Sequence, residues 1–167
     1  MSPAVFDTNI LSVAERRHAR AAEQCLLACS RLLREVVEGD EMVVLDDQER
    51  ILSEYGRNVA TNGQLGVGGR FYIWILRNRW NPEACEQVTI AEDPNSPDGC
   101  DFAEFPNDPD LDGFDRDDRK FVAVARGSAF QSPIFNASDT GWWDFRGALD
   151  RNGVDVRFVC PELMANG

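Results

Sequence analysis

Short apolar runs alternate with helical patterns along the whole chain, and this alternation restricts the fold more than any other feature. Residues 3–6, 42–45, 133–136 and 154–159 read as strands, with a further short one at 87–90. Between them, helical spacing predicts a short helix from about Ile10 and a long one over 19–38, where Cys25, Leu26, Cys29, Leu32, Leu33 and Val36 share a face before Gly39. A third helix is expected over 47–60 behind an Asp46/Asp47 cap. A buried one is expected over 71–76, set off by Gly66, Gly68 and Gly69 and ending near Trp80, and two more over 117–126 and 141–151. Strand and helix units in this order predict an α/β fold, three-layer α/β/α, around a central, mostly parallel sheet. With 167 residues, 43% of them hydrophobic, the chain can close one substantial core, so a single domain over 1–167 is expected.

Four acids fall where such a fold brings its ligand edge together. Asp7 follows the first strand and Asp139 the fourth, at strand carboxyl ends where open α/β sheets bind ligands. Glu54 lies within the third helix, and Asp118 leads the helix that begins Arg119-Lys120-Phe121. Singly, each acid has an ordinary role: a turn at Asp7, a dipole partner at Asp118, a cap at Asp139, an ion pair with Arg50 or Arg57 at Glu54. Jointly they read as a divalent-metal site. Mg²⁺ takes oxygen ligands in octahedral geometry and keeps waters, so a few carboxylates hold it and leave room for a phosphate.

Charge and composition narrow the chemistry. His18 is the only histidine, which argues against serine or cysteine catalysis with a histidine base. The net charge of −12 opposes broad binding to a phosphate backbone, so a nucleic acid needs a local arginine patch. Lys120 is the only lysine among 17 basic residues, and the rest are arginine, the residue suited to bidentate phosphate contacts. Arg16, Arg17 and Arg20, with Arg31 and Arg34, form either a phosphate-facing stripe or a solvated helix face. Five cysteines without paired metal spacing suit reduced thiols. No apolar run approaches the roughly 20 residues of a membrane span and no signal pattern opens the chain, so a cytoplasmic protein without a membrane partner is expected.

The runs Val5-Phe6-Asp7-Thr8-Asn9-Ile10-Leu11, Ile51-Leu52-Ser53-Glu54-Tyr55, Asp118 to Ala125 and Asn136-Ala137-Ser138-Asp139 together resemble a PIN domain, over residues 4–160. The resemblance implies a Mg²⁺- or Mn²⁺-dependent nuclease, often an endoribonuclease and often the toxin of a toxin-antitoxin or defence system. It implies Asp7, Glu54, Asp118 and Asp139 as the metal-binding, catalytic acids, with Asn9 supporting the first. Thr8, Ser138 and Asp115 are expected as further supporting residues, with Arg57, Arg119 and Lys120 on the substrate. Implied partners are an RNA substrate, a cognate antitoxin or other inhibitory protein, and a second copy in a homodimer. The acidic, Pro/Gly-rich insertion at 91–117, carrying Phe102, Phe105 and Phe114, and the tandem Trp142-Trp143 depart from the short toxin pattern.

Three other readings stand beside this one. A PIN-like RNA- or protein-binding regulatory module needs no catalysis. Phosphatase chemistry of the haloacid dehalogenase kind would use Asp7 as nucleophile, but Asn9 stands where its second aspartate belongs. Asp108, Asp110, Asp112 and Gly113 imitate a calcium loop, but Arg119 occupies the position of its bidentate glutamate.

Overall fold

The computed structural model describes residues 3–16, 22–39 and 41–165. His18 and most of the basic stripe at Arg16, Arg17 and Arg20 lie outside them. Five strands form, β1 (Val5–Phe6), β2 (Val43–Asp46), β3 (Cys85–Val88), β4 (Ile134–Asn136) and β5 (Val156–Phe158). All ladders are parallel. One sheet has the order β1-β4-β5 and the other pairs β2 with β3. A parallel bridge between Ala4 and Val43 joins the two, with Ala4 N–H donating to Met42 and Val44 N–H donating to Ala4, both at 2.9 Å. The strands therefore run β3-β2-β1-β4-β5. Connections leave β1 on one side for β2 and return on the other at β4, so the order reverses between β1 and β4. Open sheets of this kind present a crevice at that reversal, beyond the strand carboxyl ends.

The helices are α1 (Thr8–Ala14), α2 (Glu23–Glu38), α3 (Arg50–Asn58), α4 (Val67–Asn78), α5 (Arg119–Gly127), α6 (Thr140–Trp143), α7 (Arg146–Arg151) and α8 (Glu162–Ala165). Helices α1, α2 and α4 pack on one another, whereas α5 packs against β1, β2 and β4. The buried face of α2 carries Cys25, Cys29, Leu33 and Val36, the spacing expected from the sequence. The core cluster runs without a break from Ala4 to Cys160, which is why every element can be placed against one interior.

Three expectations change. Gly68 and Gly69 do not break the chain before α4 but lie inside it. A Cβ on Gly68 would stand 2.2 Å from the Leu11 carbonyl oxygen and one on Gly69 2.4 Å from that of Ala60, so glycine permits this helix to approach α1. The helix expected over 141–151 is two short ones, and the break lets Trp143 meet Phe158 at 5.1 Å while Trp142 and Phe145 bracket Phe114 at 5.0 and 5.6 Å. The cysteines are not all reduced, because Cys25 of α2 is joined to Cys160 by a disulfide. Cys29, buried beside it, keeps a thiol that burial pushes up to about 12.

The insertion at 91–117 is an ordered loop packed on the body, with Phe102, Leu111 and Phe114 in the core cluster. Glu92 and Phe102 pair in an antiparallel bridge, and Phe102, Leu111 and Phe114 are buried. Arg116 binds Asp98 and Asp101, each at 2.6 Å, which holds both carboxylates well below the usual range. Asp108 receives Arg151 at 3.2 Å and Asn152 at 2.8 Å, so the calcium-like run is pinned to α7 by protein donors.

Candidate active site

Asp7 leaves β1 at the sheet reversal and caps α1, its Oδ2 accepting from Asn9 N–H at 3.0 Å. It is only 4% exposed. Burial, then the nearby Asp118 charge, drives its carboxyl well above the usual range, with Glu54 and Asp139 adding to the effect and the Asn9 N–H opposing it. Asp118 is raised to about 7, first by burial and then by Asp115, Asp139 and Glu54, while Lys120 works against them. These mutual repulsions place the four expected acids in one neighbourhood. A cavity of about 350 Å³ is lined by Asp7, Thr8, Asn9, Glu54, Arg57 and Asp118 among others. Asn9 also lines an adjoining one of about 280 Å³ with Ser138, Asp139 and Thr140.

Each acid is held by a different device. Glu54, on α3, accepts from the Thr8 hydroxyl and pairs with Lys120 Nζ at 2.9 Å. Asp118 precedes α5 but its side chain does not cap it; Oδ2 accepts instead from the indole N–H of Trp142 at 3.1 Å. Asp139 caps α6, accepting from Gly141 N–H at 2.7 Å. Asp115 caps the short turn before Asp118 by accepting from Asp117 N–H at 2.9 Å, and reaches the site only through its charge. Ser138 and Thr140 line the Asp139 side.

Asn9 ties the halves together. Its Nδ2 donates to Asn136 Oδ1 at 3.2 Å and its Oδ1 accepts from Ala137 N–H at 3.0 Å, while Asn136 Oδ1 also accepts from Asp139 N–H at 3.0 Å. Asn136 is fully buried, and its Nδ2 has no partner among the described residues. Asn136 and Trp142 are site residues that sequence reading missed. An asparagine closing a strand and a tryptophan inside an apolar stripe carry no local sign of such roles.

Of the expected cations, Lys120 and Arg57 border the acids, but Arg119 does not. Arg119 lies over Phe105 at 4.6 Å and donates to Asp101 and the Asp112 carbonyl, both at 3.2 Å, which fastens the 91–117 wall to α5. Asp46 shows the opposite outcome for an acid at a strand end. Buried to 1% exposure, it accepts from the backbone N–H groups of Gln48, Arg50 and Ile51 at 2.9 to 3.2 Å and meets the Arg50 guanidinium at 3.5 Å, so its oxygens serve the start of α3.

The four acids form a loose cluster. Among the described residues, the only trio of potential ligands whose atoms all lie within 4.8 Å is Cys25, Cys29 and Cys160, two of which are bonded to each other. Like charges repel, and Lys120 draws Glu54 toward itself, which accounts for the looser acid cluster. A cleft of about 860 Å³ between α1, α2 and α4 shares no residue with the acids. Comparisons with protein-family models, curated proteins and solved structures find no match.

Proposed function

We propose that this protein is a PIN-like, Mg²⁺- or Mn²⁺-dependent endoribonuclease whose ion is held by Asp7, Glu54, Asp118 and Asp139. One observation carries the reading. Carboxylates from four separate elements share one neighbourhood at the sheet reversal, and two of them are pushed toward protonation by burial and by neighbouring carboxylates. Such crowding costs stability unless something offsets it, and a divalent cation is the partner that all-oxygen donors fit. A bound ion would neutralise charge at the scissile phosphate and acidify an attacking water.

The chain's own residues supply the rest. Asn9 fixes the spacing between the Asp7 and Asp139 sides, Thr8 orients Glu54, and Trp142 holds Asp118 toward the cavity. Lys120 stands on the acids' border, where its ammonium can pass from Glu54 to a substrate phosphate. RNA would enter past Arg57, which lines the same cavity.

The four-acid site and the three-layer fold proposed for this chain suit the toxin of a toxin-antitoxin or defence system, with an antitoxin or other inhibitory protein and a second copy as partners. No described helix is long and apolar enough to cross a membrane. Action in the cytoplasm requires Cys25–Cys160 to survive a reducing pool, and burial of both sulfurs favours that. The other reading, an RNA- or protein-binding module without catalysis, draws on the Lys120–Glu54 pair, an internal cation already set among the acids.

Purified protein incubated with RNA separates them. Cleavage with Mn²⁺ or Mg²⁺, abolished by EDTA and by Asp7→Asn, is the expected result. RNA left intact with either ion, or cleavage undiminished in EDTA, overturns the metal-dependent nuclease.

A further inference from the structure

Beside the acids opens a second cavity, about 310 Å³, walled by Arg50, Ser53 and Arg57 of α3 on one side and by Cys100, Arg116 and Lys120 on the other. The insertion at 91–117 thus builds half of it. Arg57 lines both this cavity and the acid one, and Lys120 of this cavity pairs with Glu54 of the other, so the two spaces adjoin. The cations differ in how they are held. Arg50 is anchored by Glu92 at 2.9 Å and Asp46 at 3.5 Å, and Arg116 by Asp98 and Asp101. Arg57 is exposed and has no hydrogen-bond or ion-pair partner among the described residues. On a chain of net charge −12, an unpartnered guanidinium at the junction of two cavities is where an incoming anion meets least opposition.

We propose that this cleft seats a phosphate of single-stranded RNA adjacent to the one at the acids, gripped by Arg57 with Lys120 on the acid side. The inference rests on the nuclease reading and adds to it the form of the substrate. The cavity's volume lies at the lower end of the roughly 300 to 1,000 Å³ of ligand pockets, room for about one nucleotide of an extended strand and not for a duplex. A solvated surface arginine is the plain alternative. It predicts no coupling between this cleft and RNA.

The test uses full-length Asp118→Asn protein, expected to be cleavage-silent, and a fluorescent oligouridylate decamer followed by anisotropy at several salt concentrations. Adding Arg57→Ala should weaken binding about five- to tenfold and flatten the logarithmic salt slope by about 0.7, the share of one single-strand phosphate contact. Ser53→Glu, an exposed change on α3, should weaken binding without removing any contact, and Arg57→Lys should keep part of the affinity. In the otherwise unaltered chain, Arg57→Ala should raise the KM for the decamer by a larger factor than the KM for a dinucleotide, which is too short to span both cavities.

Equal decamer affinity in parent, Arg57→Ala and Ser53→Glu proteins overturns the proposal, as does a duplex binding as tightly as the single strand. The nuclease reading fails separately. Cleft-dependent binding by a chain that cleaves nothing keeps the cleft and removes the nuclease, whereas normal cleavage with indifferent cleft variants removes the cleft alone.

Discussion

The indole N–H of Trp142 donates to Asp118 Oδ2 at 3.1 Å, across 24 residues of sequence, and turns that carboxylate away from the helix it precedes. Trp142 is fully buried and rests edge-on against Phe114, itself seated in the 91–117 wall. The orientation of one acid thus depends on an insertion that makes no strand.

Asp118→Asn separates metal ligand from helix-start acid. Its carboxyl is raised to about 7, above the value of about 3.9 in an unfolded chain, so the metal-free folded state binds the extra proton between those values. That contribution to stability is complete below about pH 4 and is lost as pH rises through about 7. The asparagine variant does not lose it. In EDTA its stability should therefore exceed the parent's increasingly from pH 5 to 8, by on the order of 1 kcal/mol after allowing for solvent screening, read as a higher melting temperature. Cleavage and most of the Mn²⁺-induced rise in melting temperature should vanish. A parent-like pH profile of stability would remove Asp118 from the crowded site.

Lys120→Met removes the cation that faces Glu54 and leaves the acids to repel one another. Both side chains are largely buried, at 12% and 17% exposure, so the cost in EDTA should be about 1–3 kcal/mol. Mn²⁺ should recover part of it. Thermal melts with and without the ion check this, and an equal loss in both would mean that Lys120 and the ion do not share a role.

Phe114→Ala should cost about 3–5 kcal/mol, because the ring is buried among Phe105, Trp142 and Phe145 and its removal leaves a cavity. At a temperature where the variant remains folded, cleavage should fall as well, since Trp142 loses its support. Denaturant unfolding and a cleavage assay read the two effects independently.

Gly68→Ala should destabilise by about 1–3 kcal/mol despite alanine's better helix propensity, since its Cβ meets the Leu11 carbonyl. Urea titration of the variant measures the loss.

How much of this the sequence could reveal depends on how local each cause is. Strand and helix periodicity located β1, β2, β4 and the apolar face of α2, because period and burial are written residue by residue. The four acids were legible as a set, yet Asp46 ends β2 much as Asp7 follows β1, and the three backbone N–H groups gathered on Asp46 distinguish it from a site residue. Gly68 and Gly69 looked like breakers because their reason for being small lies outside their own helix, at Leu11 of α1 for Gly68 and at Ala60 for Gly69. Arg119 sits among the site motifs but is claimed by Phe105 and Asp101, partners that a loop of unknown course could not disclose. Cys25 and Cys160 stand 135 residues apart, and no spacing rule connects them.

That pairing has a topological result. The disulfide closes residues 25–160 into a covalent ring that contains Glu54, Asp118 and Asp139, while Asp7 lies on the tail outside it. In the oxidised chain, unfolding leaves those three acids in one loop and Asp7 outside it. Assembling the site then includes docking the segment that carries Asp7, through the β1 hydrogen bonds to β2 and β4, onto a body closed by the disulfide.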